Sequence, residues 1–327
     1  MMELPEFMRR LDAIAGGFQR SKILFTALQG GVFPLLESPM TAAEVAARLG
    51  WDERGTRMLL NGLIALDLAD KDDQGRYCNA PIASACLAPG APMDQTAILN
   101  HKAHGWEAWA HLDELVRTGK PYPRGERSTE QLRAFICGMK NIARESANAM
   151  VEAVDITPYK NMLDVGGGPG TYSHACLRKA PDMRATIFDL PEVLPIAKEE
   201  AAAAGLLDRM DFVAGDLTRD PLGNGHDLVL LSNIIHSFGP QTNQALIRKC
   251  HQALVPGGML IVKDFLLDDD GKGPGFGLIF ALHMFVHTEQ GDTYSVEIVR
   301  QWTREAGFSD GGLVDLTPQT RMWLALK

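Results

Sequence analysis

Between residues 161 and 265, short unbroken apolar runs alternate with longer stretches in which apolar positions recur every three or four residues. The runs at 162–165, 185–189, 211–214, 227–232 and 259–264 predict strands, and the stretches at 171–179, 191–204 and 241–254 predict helices. Runs without polar alternation mark strands covered on both faces. The pattern therefore predicts an α/β fold built on a doubly wound sheet, with Pro256-Gly257-Gly258 turning the chain into the fifth strand. Helical periodicity covers 21–36, 41–50 and 52–66, with Thr41 and Glu44 at capping-box spacing and Gly50 as a stop. Two short strands then flank the turn Asp72-Asp73-Gln74-Gly75, which completes the element order of a winged helix. A helical region follows, its longest helix spanning 129–154. Three segments are expected: a winged-helix domain at 1–90, a helical connector at 91–155 and the α/β domain at 156–327.

Candidate chemistry concentrates at the first predicted strand. Leu163-Asp164-Val165 leads into Gly166-Gly167-Gly168-Pro169-Gly170-Thr171, and Asp189 ends the next strand 23 positions after Gly166. Glycines let a backbone press against a ligand, and a carboxylate at that distance can accept from both ribose hydroxyls. The loop departs from the dinucleotide fingerprint, because Thr171 stands where a third glycine would be needed. Asp164 before the loop and Asp216 after the third strand suit a cationic nucleoside without phosphates, such as S-adenosylmethionine.

Composition narrows the setting. The chain has 327 residues, 46% hydrophobic and 22% charged, enough for two domains with sizeable cores. No apolar run is long enough to span a bilayer, and Met1 to Glu6 lacks the basic-then-apolar layout of a secretory signal, so a cytoplasmic protein without membrane partners is expected. Five scattered cysteines form no C-x-x-C and read as buried thiols. A net charge of −9 disfavours nucleic acid, and residues 1–90 carry nine Lys/Arg against eleven Asp/Glu. A ligand-responsive DNA-binding regulator is nevertheless the alternative from another functional class, because winged helices often bind DNA.

The ordered motifs are Leu163 to Thr171, Phe188-Asp189-Leu190-Pro191, Gly215-Asp216-Leu217, Ile234-Ile235-His236, Leu254 to Gly258, and Thr293-Tyr294-Ser295 ahead of Ala306-Gly307-Phe308. Together they resemble the S-adenosylmethionine-dependent O-methyltransferases with an N-terminal winged-helix dimerisation domain, a family of plant phenolic and bacterial polyketide enzymes. The resemblance implies a class I methyltransferase fold, a homodimer, and a small-molecule acceptor lying between the domains. It implies cofactor contacts at Asp164, Gly166, Gly168, Asp189, Leu190, Asp216 and Leu217. Ser232 occupies the place of a cofactor-holding lysine of plant members. His236 matches the general base, and Asp264 falls where plant members keep a glutamate that orients it. A second family acid falls at Thr293, and the usual His-Asp-Trp run reads His236-Ser237-Phe238. These altered acids leave carbon or sulfur transfer, or a non-methylating relative, as alternatives to O-methylation.

Methyl transfer from a sulfonium needs no protonation of the leaving group, so the protein must position the acceptor and remove its proton. Histidine ordinarily titrates near 6.5, which suits deprotonation of a phenol or enol near neutrality. Met284 and His287 are expected to line the acceptor pocket from an apolar helix over 276–286, with Met139 and Ile142 on the opposite wall. His283 and His287 are also at a metal-chelating i,i+4 spacing. The reading favours the pocket and expects no metal.

Overall fold

The computed structural model describes residues 3–91, 93–123, 125 and 128–327, without the side chains of Glu130, Gln131 and Ile142. The chain divides into two compact units, one ending at Gly105 and the other beginning at Trp106. The first contains α1 (Leu4–Gln29), α2 (Val32–Leu35), α3 (Ala42–Leu49), α4 (Glu53–Ile64), β1 (Ala69–Lys71), β2 (Tyr77–Asn79), α5 (Pro81–Leu87) and α6 (Thr96–His104). The expected capping box forms: Thr41 Oγ1 accepts from the Glu44 amide at 3.3 Å, and Glu44 accepts from the Thr41 amide at 2.7 Å. Such a cap contributes about 1 kcal/mol. β1 and β2 pair antiparallel around Asp72, whose Oδ1 accepts from the Gln74 and Arg76 amides. Phe33, Leu36, Val45, Leu60, Leu63 and Tyr77 form the core of this unit.

Two expectations for this region change. The helix expected over 21–36 begins at Leu4 and breaks at Gly30-Gly31, where Gly31 takes a left-handed φ of 75°. The connector expected over 91–155 is shared between the units: α6 packs with the N-terminal core through Leu99, whereas the chain from Trp106 belongs to the second unit.

The second unit opens with α7 (Trp106–Ala110), α8 (Leu112–Thr118) and α9 (Thr129–Ala153). The α/β alternation follows as β3 (Asn161–Val165), α10 (Thr171–Lys179), β4 (Arg184–Asp189), α11 (Leu194–Ala203), β5 (Met210–Ala214), β6 (His226–Ser232), α12 (Pro240–Ala253) and β7 (Leu254–Asp264). The chain ends with α13 (Gly275–His287), α14 (Val296–Glu305), β8 (Ser309–Thr317) and β9 (Thr320–Leu326). The sheet order is β5-β4-β3-β6-β7-β9-β8, parallel except for β9, which runs antiparallel to β7 and β8. Alternate residues supply the two cores. Met162, Leu228, Leu230 and Ile261 face α9, α10 and α11, whereas Leu163, Val229, Leu231, Leu260 and Val262 face α12 and α14.

Three sequence expectations are refined here. Pro256-Gly257-Gly258 lies inside β7, where pairing with β6 slips between His226 and Leu228 and Gly257 has φ 81°. The β8–β9 hairpin was not expected, because Gly311-Gly312 interrupts the apolar pattern of what is an edge strand. Cys176 and Cys250 are buried, but Cys78, Cys86 and Cys137 are only half-buried. No described helix is long and apolar enough to cross a membrane.

Candidate active site

The strand order reverses at β3: the chain builds outward to β4 and β5, then returns to place β6 on the other side. A crevice opens outside the strand ends at such a switch point. The glycine loop leaves β3 there, with Gly166, Gly168 and Gly170 at φ 68°, 54° and 78°, a region that penalises any Cβ. A Cβ on Gly166 would strike the Ile234 side chain, and one on Gly170 would lie 2.8 Å from Ile187 Cδ1. Above Gly168 the space is open. Asp189, at the end of β4, accepts from the Gly168 amide through Oδ2 at 2.7 Å and from the Leu190 amide through Oδ1 at 2.8 Å. Burial raises its pKa, and these two amide donors oppose the rise. Each oxygen keeps a lone pair for a further donor. Leu190 beside it is exposed.

The other predicted cofactor residues have distinct settings. Asp164 is buried beneath the loop, where its Oδ2 accepts from Ser173 Oγ at 2.7 Å and a Cβ on Gly167 would collide with its carboxyl. Burial drives its pKa up to about 6, helped by the charge of Asp189 and opposed by Ser173. Asp216 caps its own turn, accepting from Thr218 Oγ1 at 2.6 Å and the Thr218 amide at 2.8 Å, and these bonds lower its pKa. Leu217 packs, half-buried, beside the core under the loop. Ser232 ends β6 with a buried Oγ that has no hydrogen-bond partner among the described residues.

His236 lies in a short 3₁₀ turn after β6, buried, and its Nδ1 stands 2.7 Å from Asp264 Oδ1. Asp264 Oδ1 also accepts from the Phe265 amide at 2.9 Å. Although burial pushes the Asp264 pKa upward, the charge and hydrogen bond of His236, with the Phe265 amide and the charge of Lys263, make the net shift downward. The carboxylate therefore acts as an acceptor toward Nδ1, which leaves Nε2 as the basic nitrogen. The turn is pinned from behind: Asn243 Nδ2 donates to the Ile235 and Phe238 carbonyls at 2.8 and 3.0 Å, and the Asp292 amide donates to the His236 carbonyl at 3.0 Å. Thr293 takes no part in the pair, since its hydroxyl donates to the Gly277 carbonyl at 3.2 Å. Asp264 is thus the acid that holds this histidine.

Aromatic rings extend from the pair. Phe280 meets His236 edge-on at 5.0 Å between centroids, and Phe265 lies 5.8 Å away. Phe280 also approaches His283, which lies 4.4 Å from His287 and accepts from Trp109 Nε1 at Nδ1. The structure therefore links His287 to His236 through rings, with Met284 buried on the same helix. Met139 is half-buried on α9, and the side chain of Ile142 lies outside the described residues. Among the described residues, no group of three metal-ligating side chains converges.

Sequence reasoning missed Asn243, Phe265, Phe280 and Lys263. Lys263 offered a signal, being the one basic residue within the apolar run 259–262 and its continuation to Phe265. Asn243 gave none, because a polar residue near a helix start is ordinarily solvated.

Comparison with known proteins agrees with this arrangement. Residues 105–309 match the family model of the O-methyltransferase domain, and residues 13–89 match that of the O-methyltransferase dimerisation domain. The chain is 32% identical over 304 residues to the tetracenomycin polyketide synthesis 8-O-methyl transferase TcmO of Streptomyces glaucescens, covering 90% of this chain and 89% of that protein. It is 33% identical over 309 residues to the 3-hydroxy-5-methyl-1-naphthoate 3-O-methyltransferase of Streptomyces sahachiroi, covering 92% and 89%. The crystal structure of human N-acetylserotonin methyltransferase in complex with S-adenosylmethionine superposes with a TM-score of 0.88 at 28% identity, over 100% of this chain and 99% of that one. The enzyme reading thereby displaces the DNA-binding regulator, and the chain belongs to the S-adenosylmethionine-dependent O-methyltransferases that carry an N-terminal dimerisation domain.

Proposed function

We propose that this enzyme methylates a hydroxyl group on a flat aromatic small molecule, with His236 as general base. The observation that carries the reading is the buried His236–Asp264 pair, fronted by Phe265 and Phe280. The bacterial relatives named above act on a polyketide and on a naphthoate, which supports an acceptor of that shape. Aromatic faces orient a planar acceptor through offset and edge contacts.

The crevice residues fit the cofactor. Gly168 leaves room for close approach, Asp189 keeps two acceptor positions for the ribose hydroxyls, and the exposed Leu190 offers the adenine an apolar face. Asp216 and Leu217 lie at the end of β5, next to β4, where the base would extend. When bound, S-adenosylmethionine supplies an electrophilic methyl group. Nε2 of His236 accepts the proton of the acceptor hydroxyl, while Nδ1 keeps its hydrogen toward Asp264 and the ionised carboxylate stabilises the imidazolium.

We further assign a homodimer. Leu4, Phe7, Leu11, Ile14 and Phe18 form an exposed stripe along α1 at helical spacing, and the matched dimerisation domain covers the end of this stripe. The test of the catalytic reading supplies S-adenosylmethionine carrying a labelled methyl group together with matched phenols, thiols and activated carbon acids. Label on a phenolic oxygen, identified by product mass and nuclear magnetic resonance, is the expected result. Label only on sulfur or carbon contradicts it.

A further inference from the structure

Lys263 is 1% exposed, a lysine within the sheet of an α/β core. Charged side chains almost never occupy such positions without compensation, because an ammonium removed from water loses its hydration. Its compensation among the described residues is partial: its charge acts on the neighbouring Asp264 carboxylate, whose pKa it lowers, but the ammonium makes few direct bonds. Of three ammonium donors, one reaches Asn233 Oδ1 at 2.8 Å, and Nζ lies 5.8 and 5.6 Å from the ring centroids of Tyr172 and Phe265. Asp264 is next in sequence, but strand alternation puts its side chain on the opposite face of β7, where Oδ1 serves His236 and the Phe265 amide.

The position of this ammonium is specific. Lys263 on β7 is in register with Ser232 on β6, so the two side chains share one face of the sheet. Ser232 Oγ is buried and has no hydrogen-bond partner among the described residues. Tyr172 belongs to the first turn after the glycine loop, and Ile234, next to Asn233, packs where a Gly166 Cβ would stand. Phe265 adjoins His236. The ammonium thus sits between the loop and the base, with one hydrogen bond among the described residues and beside a hydroxyl that has none among them.

Across the sheet, the nucleoside-holding carboxylate Asp189 ends β4, the loop ends β3, Ser232 ends β6 and Lys263 lies near the end of β7. Three strand spacings separate β4 from β7, about 14 Å. A cofactor whose ribose is held at β4 would have its amino-acid end free to cross the glycine loop toward the ends of β6 and β7. That end carries a carboxylate. We propose that Lys263, supported by Asn233 and Ser232, is the receptor for the carboxylate of S-adenosylmethionine. A lone cation at this place would repel the sulfonium, and pairing with the carboxylate removes that penalty. The inference rests on the placement of the nucleoside at Asp189.

Calorimetry on the full chain tests it with three ligands: S-adenosylmethionine, its decarboxylated form, and 5′-methylthioadenosine, which lacks the amino-acid end. Wild-type protein is expected to bind the decarboxylated form about 10- to 100-fold more weakly than the intact cofactor. Lys263→Met should lose that discrimination by weakening only S-adenosylmethionine, with methylthioadenosine affinity unchanged. Equal affinity of the wild type for intact and decarboxylated cofactor overturns the proposal without any variant. So does a Lys263→Met protein that binds S-adenosylmethionine normally, or one that loses all three ligands alike. If Lys263→Met changes only the KM of the acceptor, the oxyanion belongs to the acceptor and the proposal is also wrong. Asp189→Ala serves as the control: loss of all three ligands supports the nucleoside placement, whereas retention of all three shows that the placement itself has failed.

Discussion

Among the described residues His236 is hydrogen-bonded to one carboxylate, and the way that carboxylate is held decides what a mild substitution should do. Asp264 Oδ1 accepts from the Phe265 amide as well as facing Nδ1, so Asp264→Asn should keep its carbonyl oxygen at that point and preserve the tautomer. Only the charge that stabilises the imidazolium is lost. We expect a fall in turnover of about 10- to 100-fold, the worth of a charged hydrogen bond, measurable by steady-state kinetics with little change in cofactor affinity. Asp164 presents the opposite electrostatic case. Its folded pKa is raised from 3.8 to about 6 by burial beneath the glycine loop, so the folded state prefers the protonated form. Stability from this preference is fully present below about pH 3.8 and is lost as pH rises through about 6, a difference of about 3 kcal/mol. Asp164→Asn cannot ionise but can still accept from Ser173. Relative to wild type, its Tm should therefore improve between pH 4 and pH 7.5 in scanning calorimetry; a difference independent of pH would contradict this account.

At the scale of elements, what was legible in the sequence was whatever buries an apolar face or needs a special backbone. The five parallel strands stood out because both faces are covered, and the glycine loop stood out because Gly166, Gly168 and Gly170 hold left-handed conformations that other residues resist. The start of α1 was missed although Leu4, Phe7, Leu11, Ile14 and Phe18 recur at helical spacing, a stripe that stays exposed within this chain. The β8–β9 hairpin was also missed, since β8 is an edge strand with a bulge between Asp310 and Gly312. Of the site, His236 and Asp264 could be found only through the resemblance of the ordered motifs to a known family, whereas Asn243, Phe265 and Phe280 act through tertiary contacts without local pattern. The α1 stripe leads to its own prediction. Leu11→Glu with Ile14→Glu should turn a dimer into a monomer at micromolar concentration, as read by light scattering, because two charges would have to enter the interface. An unchanged dimer would move the interface elsewhere.

For the molecule as a whole, the reversal of strand order at β3 brings the glycine loop, Asp189, the buried Lys263 and the histidine turn to neighbouring strand ends within one unit. The most direct test of the central claim is the single-turnover rate of His236→Ala with an authentic phenolic acceptor, measured alongside its affinity for S-adenosylmethionine. The account predicts a rate lower by about two to four orders of magnitude, the usual worth of positioned proton transfer, with cofactor affinity within a few-fold of wild type. A variant that keeps most of its rate, or one that loses cofactor binding and rate together, would contradict the assignment of His236 as the general base.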